Sequence, residues 1–154
     1  MPDPLGFLLT WTTYGTWLPG DERGWVWKGH GFQWPDPILK QAARKRMTEP
    51  ACTLDDEQRD LVEKTIREHC DIRKWHLHAV SCRTNHVHVV VSAHRDPEDL
   101  RDQLKAWCTR KLKDLQRSRS EPLRENWWTE RGSQRHLGDA ESLEAAIVYV
   151  RDGQ

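Results

Sequence analysis

Several things are scarce in this chain, and each scarcity closes off a class. Its four cysteines, Cys52, Cys70, Cys82 and Cys108, contain no C-x-x-C pair, so neither a zinc-ribbon nor a thioredoxin-type reading has a foothold. No secretory h-region precedes the first apolar stretch. No apolar run approaches the roughly 18 residues needed to span a bilayer. Reduced thiols in a cytoplasmic protein are the simplest expectation. A G-x-S-x-G elbow, a Walker-type loop and a dinucleotide fingerprint are all missing, which argues against serine hydrolase, ATP-driven and nicotinamide chemistry. There are only two tyrosines and two phenylalanines, and the net charge is zero, with 24 basic against 24 acidic residues. That balance lacks the basic excess that usually marks a nucleic-acid-binding domain.

What is present is more pointed. Nine tryptophans stand against the two phenylalanines. Tryptophan fills cores, but it also stacks on unpaired bases, so the excess is compatible with a single-stranded nucleic-acid partner. Basic charge is concentrated locally: 101–124 holds eight Lys or Arg against three acids, which fits either a solvated helix face or a phosphate-facing patch. At 154 residues the chain is long enough for one domain with a proper core.

Periodicity orders the elements. Leu5 to Tyr14 is apolar and β-branched and reads as a first strand, leading into a loop rich in glycine and proline. From Asp21 to Pro37 no period is sustained, and Ile38 to Met47 reads as a short basic helix ending before Pro50. A Trp/Gly-rich insertion at about 20–50 in a single domain of 1–154 is the resulting expectation. Thr53 or Asp55 can cap a helix whose stripe is Leu61, Val62, Ile66 and Cys70. Lys74 to Cys82 and His86 to Ser92 form a hairpin pair, joined by Arg83-Thr84-Asn85. Asp96 and Pro97 open a long helix with acids in its first turn. Glu125 to Leu137 reads as a short strand or a hairpin turning at Arg131-Gly132. A last helix starts at Asp139 or Ser142 and ends at Gly153. The order predicts an α+β fold: a ferredoxin-like antiparallel sheet with helices on one face and a C-terminal helix carrying Tyr149.

The chemistry concentrates in Asn85-His86-Val87-His88-Val89-Val90-Val91. In a strand, residues two apart share a face, so His86 and His88 would stand side by side while Val87 and Val89 face a core. Two neutral imidazoles on a rigid strand are half of a metal site, with the remaining positions open. An isolated His-x-His equally fits a half-buried strand whose polar face carries histidines. A second pair, His76 and His78, lies on the neighbouring strand; the Asn-His-x-His context favours His86 and His88. Tyr149, among apolar neighbours on the last helix, fits either a core residue with a satisfied hydroxyl or a nucleophile. Tyr14, ending a strand beside a glycine-rich loop, fits packing or stacking better than catalysis.

Asn85-His86-Val87-His88, followed by a tyrosine and a glutamine on a C-terminal helix, resembles the HUH (histidine-hydrophobic-histidine) single-tyrosine transposases, including the REP-associated tyrosine transposases. Further resemblance runs through Leu9-Thr10-Trp11-Thr12-Thr13-Tyr14-Gly15-Thr16-Trp17-Leu18-Pro19-Gly20-Asp21, through Trp127-Trp128-Thr129 and through Gly132-Ser133-Gln134-Arg135. It implies metal-dependent cleavage and rejoining of single-stranded or hairpin DNA through a 5′-phosphotyrosine. His86 and His88 would be ligands of Mg2+ or Mn2+, Tyr149 the nucleophile and Gln154 the third ligand. The commoner spacing puts that glutamine four residues after the tyrosine; here Gly153 occupies that position and Gln154 is five residues on, so Asp152 competes. A homodimer with composite sites is known for part of the family. Candidate DNA contacts are Trp17 and Arg23 with Trp25 in the insertion, Arg110 and Lys111 in the basic stretch, and Trp127, Trp128 and Arg135. A catalytically inactive DNA-binding module of the same fold is the alternative, and a histidine-metal hydrolase of small phosphoesters a third reading.

Overall fold

A computed structural model describes residues 4–27 and 29–152. Strand β1 (Gly6–Thr12) alternates cleanly: Phe7, Leu9 and Trp11 are buried on one face, while Leu8, Thr10 and Thr12 point to the other. Its neighbour β5 (His86–Ser92) runs antiparallel in matching phase, with Leu9 opposite Val89, Trp11 opposite Val87, and Thr10 opposite His88. Strands β4 (His76–Cys82) and β6 (Ser133–Leu137) complete a four-stranded sheet in the order β4-β5-β1-β6, the arrangement of ferredoxin-like folds.

Helices α2 (Asp56–Arg73) and α3 (Pro97–Ser118) cover the valine face. Val62, Ile66 and Cys70 of α2 meet Leu100, Leu104, Cys108 and Leu112 of α3 over Phe7, Leu9, Trp11 and the three odd-numbered valines of β5. Each fully buried aliphatic side chain there stabilises the fold by about 1.5–3 kcal/mol relative to exposure. The caps are those the sequence specifies. Asp55 and Gln58 make a reciprocal capping box on α2, and Asp96 with Pro97 starts α3. The four cysteines are free and buried in this framework.

Helix α4 (Ala140–Asp152) takes the opposite face, with Asp139 accepting from the Ser142 amide at its start. Leu143, Ala146, Ile147 and Val150, at helical spacing, pack on Leu8, Ala79, Val90 and Leu137. The two sides of the sheet are therefore chemically different: helices α2 and α3 seal one, whereas α4 covers only the apolar part of the other.

Two expectations need correction, and one strand adds an irregularity. The segment read as aperiodic contains a small hairpin, β2 (Trp25–Trp27) paired with β3 (Gly31–Gln33), followed by α1 (Pro37–Lys45) capped by Asp36. Of the two readings of 125–137, the short strand is present as β6, whereas the hairpin is not, because the stretch does not fold back on itself. Trp128 bridges to Thr13 and β6 pairs with β1, so both halves add to the same strand. The chain crosses between them at Arg131 (φ 69°) and Gly132 (φ 152°); a Cβ at Gly132 would lie 2.4 Å from the Thr10 carbonyl oxygen. Finally, β4 carries a bulge between Leu77 and Ala79, which takes His78 out of simple alternation. The expected stop at Gly153 lies outside the described residues.

Candidate active site

β5 is an inner strand, so the backbone under His86 and His88 is hydrogen-bonded on both sides and cannot drift. Their rings stand 4.9 Å apart between centroids at 71°. His86 Nδ1 lies 2.8 Å from Asn85 Oδ1, and His88 Nδ1 lies 2.8 Å from Thr10 Oγ1. An amide oxygen only accepts, so His86 donates from Nδ1. Thr10 can accept from His88 in the same way. A hydrogen-bonded Nδ1 that directs Nε2 outward is the usual arrangement behind histidine ligands.

Electrostatics point the same way. Only 8% of His88 is exposed, and burial, followed by the charges of His86 and Arg83, holds its pKa down to about 4. It is therefore neutral at physiological pH, as a ligand must be.

Tyr149 comes to this pair from α4. It sits three residues after Ala146, on the shoulder of the helix's apolar stripe, and so remains 46% exposed while its ring lies 5.6 Å from that of His88 at 71°. The alternative of a fully packed core tyrosine does not describe it. Tyr14 does have a packing role: its hydroxyl accepts from the Thr48 amide at 3.1 Å. Asp152, one turn after Tyr149, is exposed and paired with Arg151. Gln154 lies outside the described residues. Among the described residues no group of three His, Cys, Asp or Glu gathers as a metal site, so the donor set seen is two imidazoles, each with its Nδ1 anchored. Two oriented imidazoles beside an exposed phenol fit a divalent ion that keeps positions open for a phosphate.

The rival pair His76 and His78 is built differently. Its rings stack at 4.2 Å and 19°, and His78 Nε2 is 2.7 Å from Ser92 Oγ, whose own proton goes to the Leu5 carbonyl. Burial and the nearby His76 charge lower the His78 pKa.

The candidate DNA contacts divide. Trp127 is only 3% exposed and packs in the core cluster, reaching the surface where it helps line the cleft beside Trp128. Trp128 is half-buried, edge-on to Trp11, with its indole N–H on Thr109 Oγ1 at 3.0 Å. It lines a cleft of about 660 Å³ with Arg101, Lys105 and Tyr14. Lys105 donates there to the Thr129 and Arg131 carbonyls, and burial lowers its pKa to about 8. Arg135 is exposed on β6, opposite Leu8. Arg110 is exposed and lies over the Trp107 ring at 4.9 Å; Lys111 beside it is half-buried. Trp17 donates to the Gly24 carbonyl at 2.7 Å, and Arg23 covers its ring at 3.9 Å while paired with the buried Asp21. Sequence reasoning missed Thr10, Asn85 as a ring anchor, and the linked hydroxyls of Thr12 and Thr129, 2.6 Å apart. For the threonines the signal is cross-strand register, which a single sequence does not display; Asn85 stands next to His86 in the chain.

A ferredoxin-like sheet whose inner strand presents a histidine pair to a tyrosine on a C-terminal helix defines the HUH single-tyrosine transposase class. The chain belongs to the IS200-like transposase family, whose sequence profile matches residues 47–153. It is also similar over 100% of its length to a crystal structure of a presumed transposase from Deinococcus radiodurans R1, at 15% identity, a TM-score of 0.55 and 94% coverage of that chain; this similarity establishes a shared fold. No curated protein matches the chain in sequence. Family membership makes DNA the partner of this protein and transposition its general function. No described helix is long and apolar enough to cross a membrane.

Proposed function

We propose that this protein cuts and rejoins single-stranded DNA through Tyr149, with His86, His88 and Gln154 holding a divalent cation, Mg2+ or Mn2+. One observation carries the reading: the exposed Tyr149 ring stands 5.6 Å from the buried, neutral His88. Asp152 is the alternative third ligand. A cation bound here would draw charge from the scissile phosphate's oxygens, which makes the phosphorus easier to attack for a phenol, a weak nucleophile with a reference pKa near 10. The Tyr149 oxygen forms the new bond to phosphorus as the bond to the 3′ oxygen breaks, leaving a 5′-phosphotyrosine and a free 3′ hydroxyl. One phosphodiester replaces another, so the reverse step needs no nucleotide cofactor. Thr10 and Asn85 hold the two rings in the ligating orientation. Trp17, Arg23, Arg110, Lys111, Trp128 and Arg135 serve as DNA contacts in this reading, and the encounter of Tyr149 with His88 requires no second copy.

The test is a nicking assay on a single-stranded hairpin oligonucleotide with Mn2+, read on denaturing gels. Wild type is expected to nick and to leave a protein–DNA adduct; Tyr149→Phe should lose both by at least about a thousandfold, in line with removal of a nucleophile. Equal nicking by the variant discards Tyr149. Nicking without an adduct favours activated water, and binding without nicking favours an inactive DNA-binding module.

A further inference from the structure

We propose that the β2–β3 hairpin and α1 form a base-stacking platform for the single-stranded DNA on which the site acts. The identity of the polymer rests on the functional reading above; the platform rests on its own geometry. Trp27 is 53% exposed, Phe32 65% and Trp34 83%, and Val26 and Ile38 are exposed beside them. This is a large share of the molecule's bulky exposed apolar side chains, within thirteen positions of one segment. Concentrations of that kind mark interaction surfaces, whereas scattered single residues do not.

The rings are held rather than loose. Trp25 and Trp27 stack at 6.3 Å and 27°, with His30 against Trp27 at 4.1 Å. Phe32 and Trp34 meet edge-on at 6.4 Å. The Trp25 indole donates to the Trp34 carbonyl at 3.1 Å, and Gly24 lies so close to Phe32 that a Cβ there would be 2.1 Å from its ring. Both faces of the hairpin thus carry preset aromatic surfaces, which bind bases at little entropic cost.

Charge selects the occupant. Asp21 and Glu22 are taken up by Arg23 and Lys40, and Asp36 caps α1. Arg44, Lys45 and Arg46, at the end of α1, are exposed and have no ion pair among the described residues. Unspent positive charge on the helix that follows the open aromatic faces matches a polymer with one phosphate per nucleotide and unpaired bases. A second copy of this chain, with no net charge, brings no such complement. Placement agrees as well. The segment leaves the sheet just past Thr12, the β1 residue opposite His86, so it is rooted at that histidine's end of the sheet. It also precedes residues 47–153, the part of the chain that the family profile matches.

The test is fluorescence anisotropy of a labelled single-stranded oligonucleotide with the full chain in EDTA, across a salt series. Trp27→Ala/Phe32→Ala/Trp34→Ala is expected to weaken binding at least about tenfold, with unchanged far-UV dichroism. Arg44→Ala/Lys45→Ala/Arg46→Ala should flatten the plot of log affinity against log salt by about 2, at roughly 0.7 for each phosphate no longer neutralised. Should the aromatic variant fail to fold, this salt slope decides alone. Wild-type affinity in the aromatic variant, or an unchanged slope in the basic one, overturns the platform. So does an aromatic variant that loses self-association in sedimentation while keeping DNA affinity, which would make the patch a protein interface. If wild type forms the tyrosine adduct while the hairpin variants bind normally, the platform falls and the cleavage reading stands. If hairpin-dependent binding occurs but no adduct ever forms, the reverse holds.

Discussion

Thr10 does more at the site than its type announces. Its hydroxyl is the 2.8 Å partner of His88 Nδ1 and belongs to a different strand from the histidines, so it ties ring orientation to the pairing of β1 with β5. Thr10→Val keeps the shape and removes the partner. Cation affinity, measured by titration calorimetry with Mn2+, should fall 10- to 100-fold, the usual cost of losing a ligand's outer hydrogen bond. The His88 ring nitrogen shifts in NMR should report a changed tautomer mixture. Thr12→Val is the control, because the Thr12 hydroxyl bonds to Thr129 on the other side of β1 from the histidines. Equal loss in both variants would mean that packing, not ring orientation, is at stake.

Among the elements, the insertion depends on one buried carboxylate. Asp21 is 1% exposed, and the Arg23 hydrogen bonds beside it hold its pKa down to about 2. With Lys40 of α1 also within 3.6 Å, it joins the loop that leads into the hairpin to the helix that follows it. Asp21→Asn removes the charge and should free the segment, raising chymotryptic cleavage at Trp25 and Trp27 severalfold by mass spectrometry, with the midpoint of global unfolding little changed. Unchanged cleavage would show that the aromatic contacts suffice. How far the elements could be read in advance follows from their physics. Helices α2, α3 and α4 announce themselves because each buries one face and so shows a period, and β5 because its valine run, buried on both faces, is β-branched. The hairpin strands are three residues long and bury little, so Trp25–Trp27 leaves no alternation to read. The stretch 125–137 misleads because Arg131-Gly132 is a real turn whose two arms pair with β1, far away in sequence. The histidine pair was legible from spacing. The meeting of Tyr149 with His88 was implied only by resemblance, since no local pattern says which sheet face α4 will cover.

For the molecule as a whole, the neutral His88 links stability to acidity. Its folded pKa of about 4 lies below the unfolded reference near 6.5, so between those values the unfolded chain binds a proton that the folded one refuses. Stability from this source is complete above about pH 6.5 and declines as the pH falls toward 4. His88→Gln cannot titrate. In urea unfolding of the cation-free protein, it should be less stable than wild type at pH 7.5, and the gap should narrow by pH 5. A gap that does not change with pH would contradict the burial argument.

Tyr149 and His88 sit on the same polypeptide, 61 positions apart in sequence yet in ring contact. Their meeting is therefore intramolecular, with a local concentration that dilution does not alter. If the phenol is the attacking group, the rate of the first strand break per bound molecule will be independent of how many copies the cell contains. A lone copy at a scarce target would then be as quick as a crowd.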